Sequence, residues 1–141
     1  MKLTEHFTLE EMTRSAKASA MGIVNNPNEE QTENLKALCE NVLEPLRNHL
    51  GRAVVINSGF RCRKLNDAVK GARNSQHMRG EAADIRVGSK KEVMEIMHFI
   101  MTECSFDQLI WEKSARSQWI HVSYSRTAKN RQYYLQKLRN G

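Results

Sequence analysis

No acidic side chain follows Glu112. Positions 113–141 carry seven Lys and Arg, so the formal net charge of +6 sits in the last fifth of a 141-residue chain. Such an excess admits an anionic partner, and nucleic acid is the first class to test. The chain lacks any recognisable nucleic-acid motif, and no nucleic-acid partner is expected. Cysteine is scarce: Cys39, Cys62 and Cys104 are odd in number and make no Cys-x-x-Cys pair. That speaks against a disulfide framework and for a reduced cytoplasm at synthesis. Each cysteine is expected to pack as a small buried or half-buried hydrophobe. No apolar run approaches the roughly 18 residues of a membrane span, so no membrane partner is expected. The opening MKLTEHFTLEEM places acids where a signal peptide needs an apolar stretch. Internal repeats and low-complexity segments are missing. So are a Gly-x-Ser-x-Gly elbow and a Cys/His nucleophile pattern, which removes the usual routes to a covalent intermediate.

What is present reads as one α+β domain over residues 1–141, with 1–27 as an N-terminal helix and connector. Thr8 and Glu11 form a capping box, so a short helix is expected from about Leu9. After Asn28, Leu35, Leu38, Cys39, Val42, Leu46 and Leu50 recur at spacings of three and four, which marks one apolar helix face. Pro45 falls inside that pattern and is expected to kink or divide the helix, and Gly51 to end it. Positions 53–56 and 82–87 read as strands. Between them lies a loop region from Ser58 to Gly80 with one short helix near 65–69. Ser89 and Glu92 cap a second amphipathic helix through Met101. Positions 106–112 and 118–124 read as an antiparallel hairpin with about five turn residues. Asn130–Leu138 is open between strand and helix. The order predicts a central antiparallel sheet with flanking helices.

Five histidines are candidates for chemistry. His6, His49 and His98 are expected in ordinary surface or packing roles. His77 lies in a glycine-flanked loop, Asp84 follows it by seven residues, and His121 sits in an otherwise apolar or aromatic strand. Two imidazoles and a carboxylate from separate elements suit a tetrahedral Zn²⁺ shell with one position left for water. Spacing alone leaves this beside a plain alternative, in which His121 is a satisfied core residue.

The stretch SGFRCRKLNDAVKGARNSQHMRGEAAD, Ser58–Asp84, resembles the zinc D-Ala-D-Ala carboxypeptidases of peptidase family M15 and their phage cell-wall relatives. Ser58, Gly59, Phe60 and Arg61 carry the first part of the pattern, and Leu65 and Asn66 the second. Ser75, His77, Gly80, Ala82 and Asp84 carry the third, and Trp119-Ile120-His121 the last. The resemblance extends over about residues 30–125 and reaches the hedgehog signalling domains, which share the fold. It implies one Zn²⁺ per chain on His77, Asp84 and His121. It implies that Arg61 binds the substrate and the charge developing at its scissile carbonyl, a task suited to a guanidinium. Ser75 and Gln118 join Arg61 as substrate-binding candidates.

One departure matters. Many members carry a Glu or Asp three residues before the second metal histidine, and here that residue is Gln118, an amide without useful basicity. Glu112 is the replacement expected as general base, brought back beside Gln118 by the hairpin. Asp107 is expected to cap local backbone, and Glu81 to be a solvated loop acid. The implied activity is metal-assisted hydrolysis of peptidoglycan stem peptides at a bond involving D-amino acids, by a carboxypeptidase or endopeptidase acting as a monomer. Cytoplasmic synthesis without a leader suits a phage-type enzyme that reaches the wall on release. The alternative is a non-catalytic zinc-binding module of the same fold.

Overall fold

The computed structural model describes residues 1–138. A small antiparallel hairpin, β1 (Lys2–Thr4) and β2 (Phe7–Thr8), opens the chain, where only a helix and connector were expected. Helix α1 (Leu9–Thr13) starts on the Thr8–Glu11 capping box, with both reciprocal hydrogen bonds formed. Helix α2 (Ala16–Met21) follows and ends on Gly22 in the left-handed region.

The long apolar stripe is divided as Pro45 requires. Helix α3 (Glu29–Leu38) runs into a π-helical turn, Cys39–Leu43, and continues as α4 (Glu44–Leu50). Proline removes one N–H and its ring crowds the carbonyl four residues earlier. The wider turn just before it, closed by Glu44 N–H on the Cys39 carbonyl, makes that room without ending the helix. Gly51 terminates α4 at φ 68°. Leu35, Leu38, Cys39, Val42, Leu43 and Leu46 are fully buried. Each such large side chain contributes roughly 1.5–3 kcal/mol.

Five strands form one sheet in the order β3-β4-β6-β5-β7. They are β3 (Ile56–Ser58), β4 (Ala82–Arg86), β5 (Gln108–Lys113), β6 (Gln118–Ser123) and β7 (Tyr133–Leu138). Helix α5 (Arg63–Ala68) lies in the β3–β4 connection, and α6 (Lys90–Glu103) follows β4. The fold is α+β, as expected. The first four strands pair antiparallel, while β7 joins the edge of β5 in parallel, so the open stretch Asn130–Leu138 is strand from Tyr133 onward. The β-branched run at 53–56 enters the ladder only at its last residue. The Ile56–Ile85 pair ends the β3–β4 register, and beyond it Arg86 N–H still donates to the Val55 carbonyl.

Ser89 caps α6 through the Glu92 amide, but the Glu92 carboxylate turns to Gly88 N–H and Arg52, so the second box is half formed. Alternation along the sheet sends Ile85, Leu109, Trp111, Ile120 and Val122 into the helical core. The opposite face carries Asp84, Ile110, Glu112, Trp119 and His121. Among the described residues no helix is long and apolar enough to cross a membrane.

Candidate metal centre

His77 is placed by a 3-10 turn, Gln76–Arg79, that begins on Ser75 and ends on Gly80 at φ 75°. The Ser75 hydroxyl accepts from His77 N–H at 3.2 Å. Gly80 cannot be replaced cheaply, because a Cβ there would lie 2.4 Å from the Gln31 carbonyl oxygen of α3. The His77 ring is only 3% exposed, and its Nδ1 lies 2.7 Å from the Gly59 carbonyl oxygen. A carbonyl only accepts, so Nδ1 carries a hydrogen and Nε2 is the nitrogen turned toward the cluster. Nε2 is 3.3 Å from Asp84 Oδ1.

Asp84 on β4 faces His121 on β6 as a cross-strand pair, with His121 Nδ1 3.1 Å from the same Oδ1. Burial opposes the charge on Asp84, yet the two imidazoles outweigh it and hold the carboxyl well below the ordinary carboxylate range. The donor atoms of His77, Asp84 and His121 lie within 4.8 Å of one another. Two imidazole nitrogens and one carboxylate oxygen, three donors in all, fit a catalytic zinc shell. A second grouping, Glu5, His6 and Glu44, is largely exposed and internally satisfied, with His6 Nδ1 2.6 Å from Glu44.

A cleft of about 790 Å³ opens over the three donors. Glu112 lines it and is 7% exposed, accepting a hydrogen bond from Trp119 Nε1 at 2.9 Å. The hairpin register differs from expectation by one residue. Lys113 pairs with Gln118 and Glu112 with Trp119, leaving four turn residues, 114–117. That single step decides which face of the sheet Glu112 occupies. Opposite Gln118, Glu112 would face away from His121; opposite Trp119, it shares the His121 face.

Gln118 is correspondingly displaced from its expected role. It lies three residues before His121 on an extended strand, hence on the other face, and accepts from Trp111 Nε1 at 3.1 Å, outside the cleft lining. Ser75 lines the cleft, but its hydroxyl is engaged by His77 N–H and by an Arg61 Nη2 at 3.4 Å. Arg61 reaches the cleft with its Nε buried and without a hydrogen-bond partner. Burial lowers its pKa, and Asp84 and Glu112 partly offset that. A buried guanidinium N–H without an acceptor is a costly group that an incoming carbonyl or carboxylate would satisfy.

Two acids depart from the sequence reading. Glu81 is 8% exposed and ion-paired to Arg79 Nε at 2.6 Å. Asp107 caps no local backbone; its carboxylate accepts from Arg131 and from Gln76, 24 and 31 residues away along the chain. Gln76 in turn lies 3.4 Å from His121 Nε2. Nothing in the local pattern marks Gln76 or Arg131, since each acquires its place through a distant partner. His49 stacks on Phe99 at 4.3 Å, the packing role expected of it.

Comparison with known proteins adds two findings. A family model described as Peptidase M15 matches residues 5–123. A zinc D-Ala-D-Ala carboxypeptidase from Streptomyces albus G is 43% identical over 49 residues, which is 34% of this chain and 19% of that protein. The match therefore spans about a fifth of the relative's length.

Proposed function

The chain belongs to the peptidase M15 family, and from that premise we propose that it is a zinc-dependent peptidase acting on peptidoglycan stem peptides at a bond involving D-amino acids. His77, Asp84 and His121 would hold the metal. When bound, Zn²⁺ polarises a carbonyl and brings a water's pKa toward roughly 7. Glu112 accepts the proton of the attacking water and returns it to the leaving amine. Arg61 directs its unsatisfied Nε–H at the substrate, orienting it and countering charge as the carbonyl becomes tetrahedral. Trp119 holds the Glu112 carboxylate in place through its indole N–H. We assign the activity to one M15-like domain working as a monomer. The observation that carries this reading is the single sheet face shared by Asp84, His121 and Glu112.

Mass spectrometry of peptides released from purified peptidoglycan, with and without a chelator, tests it. Soluble peptides cut at a D-alanine bond, and lost on chelation, are the expected result. One bound Zn²⁺ per chain with no peptide released would sink the enzyme reading and leave a zinc-binding module.

A further inference from the structure

We infer that Lys70 is a specificity-determining residue of the cleft, its ammonium placed to take a free carboxylate of the substrate. The inference deepens the peptidase reading and rests on it. It starts from backbone geometry. Among the described residues, two that are not glycine have positive φ, Lys70 at 57° and Gln132 at 55°. An L side chain in that region crowds the following carbonyl oxygen, so the conformation persists only where something offsets it.

At Gln132 the fold supplies the offset. Its side-chain oxygen accepts from Phe106 N–H at 2.6 Å, and its side-chain nitrogen donates to the Cys104 carbonyl at 3.2 Å. Lys70 has no such ties. Among the described residues no hydrogen bond or ion pair holds its ammonium, and Asp67, the nearest acid along the chain, lies 4.0 Å from Arg63. Two other cations of the cleft are committed, Arg79 to Glu81 and Arg131 to Asp107. The charge on Lys70 is kept for something outside the fold.

Lys70 also stands where glycine is the favoured residue. Its N–H donates to the Asp67 carbonyl at 3.1 Å, and Gly71 N–H donates to that of Asn66 at 2.9 Å. This pair of bonds closes α5 as a Schellman ending, with Lys70 at its left-handed position. The chain follows the glycine preference elsewhere: Gly22 ends α2, Gly51 ends α4 and Gly80 ends the 3-10 turn, each with positive φ. Of these four ends, the one carrying lysine is the one that lines the cleft. The lip is held in place by Asn66, fully buried, whose side-chain nitrogen donates to the Ala72 carbonyl at 2.9 Å. A Cβ at Gly71 would lie 2.1 Å from Asn66 Oδ1, so the adjoining glycine serves that close approach. A strained residue with an uncommitted charge at a cleft is a place where stability gives way to binding.

A stem peptide offers a carboxylate at its C-terminus or on an acidic side chain, and the test separates the two. Calorimetry on zinc-loaded Glu112→Gln protein, with and without Lys70→Met or Lys70→Gly, reads affinity without turnover. The probes are the pentapeptide L-Ala-γ-D-Glu-L-Lys-D-Ala-D-Ala and its two monoamides, one blocked at the C-terminus and one at the glutamate carboxylate. The parent is expected to prefer the free peptide over one monoamide, and that preference to fall about 3–10-fold in both Lys70 variants. The monoamide concerned identifies the carboxylate. Met keeps the backbone strain and Gly relieves it, so Lys70→Gly should also raise Tm by about 2–4 °C while Lys70→Met does not. Equal preference in the parent and both variants would overturn the inference, as would a parent that binds none of the three peptides. A wild-type chain that releases nothing from purified wall, while the preference still depends on Lys70, would sink the peptidase reading and leave this site standing.

Discussion

In the proposed reaction Glu112 and Arg61 have different tasks, and their substitutions separate them. Glu112→Gln keeps the volume and the acceptor for the Trp119 indole but removes the basicity. It is expected to lower kcat by about 10²–10⁴-fold with one zinc still bound, checked by turnover beside metal analysis. Arg61→Lys keeps the charge but not the Nε–H, the donor that the structure leaves buried and unsatisfied. Its rescue of Arg61→Ala is therefore expected to be partial, since a point charge does not replace a planar fork. Wild-type turnover in Glu112→Gln would move the base elsewhere. At this scale most of the candidate metal cluster was legible because its motif is local: Ser75, His77, Gly80 and Asp84 fall within ten positions. Gln76 lies inside that string and was still silent, because an amide has no chemistry until its partner is known. Glu81 was misjudged for the same reason, its solvation being removed by Arg79 and its buried position at the head of β4.

Secondary-structure elements carry the next level of the argument, and the clamp between Asp107 and the start of β7 is the clearest case. Hydrogen bonds from Arg131, opposed in part by burial, push the Asp107 pKa down to about 2 from an ordinary 3.8. A native pKa below the unfolded one means that the unfolded chain binds the extra proton. The clamp's contribution is complete above about pH 4 and is lost as pH falls toward about 2. In acid titrations followed by circular dichroism, Asp107→Asn is expected to be less stable at pH 6. It should also lose less stability than the wild type between about pH 4 and 2. Equal slopes in the two proteins would contradict the clamp. Hydrophobic period and capping residues foretold α1, α3, α6, β5 and β6, since both signals are short-range. The hairpin register was not legible. A period of two tolerates either a four- or a five-residue turn, and only cross-strand pairing chooses. β7 was ambiguous because it is an edge strand with Tyr133 and Tyr134 exposed, so neither face shows an apolar stripe.

Taken whole, the molecule distributes its basic excess less simply than the linear charge count implies. Arg131 is committed to Asp107, Arg126 Nε donates to Asn34, and the Lys113 ammonium sits 5.6 Å over the Trp111 ring. Arg116 and Lys129 are exposed, and Arg139 lies outside the described residues. Lys137, opposite Glu112 across β5 and β7, joins Arg61, Lys70, Arg79 and Arg131 around the cleft, whose acids are Asp84 and Glu112. A cationic rim raises the local concentration of an anionic substrate and is screened by salt. On intact wall material, kcat/KM is expected to fall several-fold as NaCl rises from about 0.05 to 0.5 M. A short neutral peptide should show little change. Indifference of both substrates to salt would detach the charge from the function.

Gly59 ties the amino-terminal segment to the metal centre. Its carbonyl receives His77, its Cα lies so close to the Met12 carbonyl that an added Cβ would fall 2.2 Å away, and the next amide, Phe60 N–H, bonds that same oxygen. Asn25 adds bonds to Thr13, Phe60 and Cys62 across the same seam. Two events at opposite sides of this glycine, docking of the first 25 residues and occupation of the metal site, thus draw on one shared wall. By reciprocity, whatever free energy the docked segment lends to metal affinity, the bound metal must return as tighter docking of that segment.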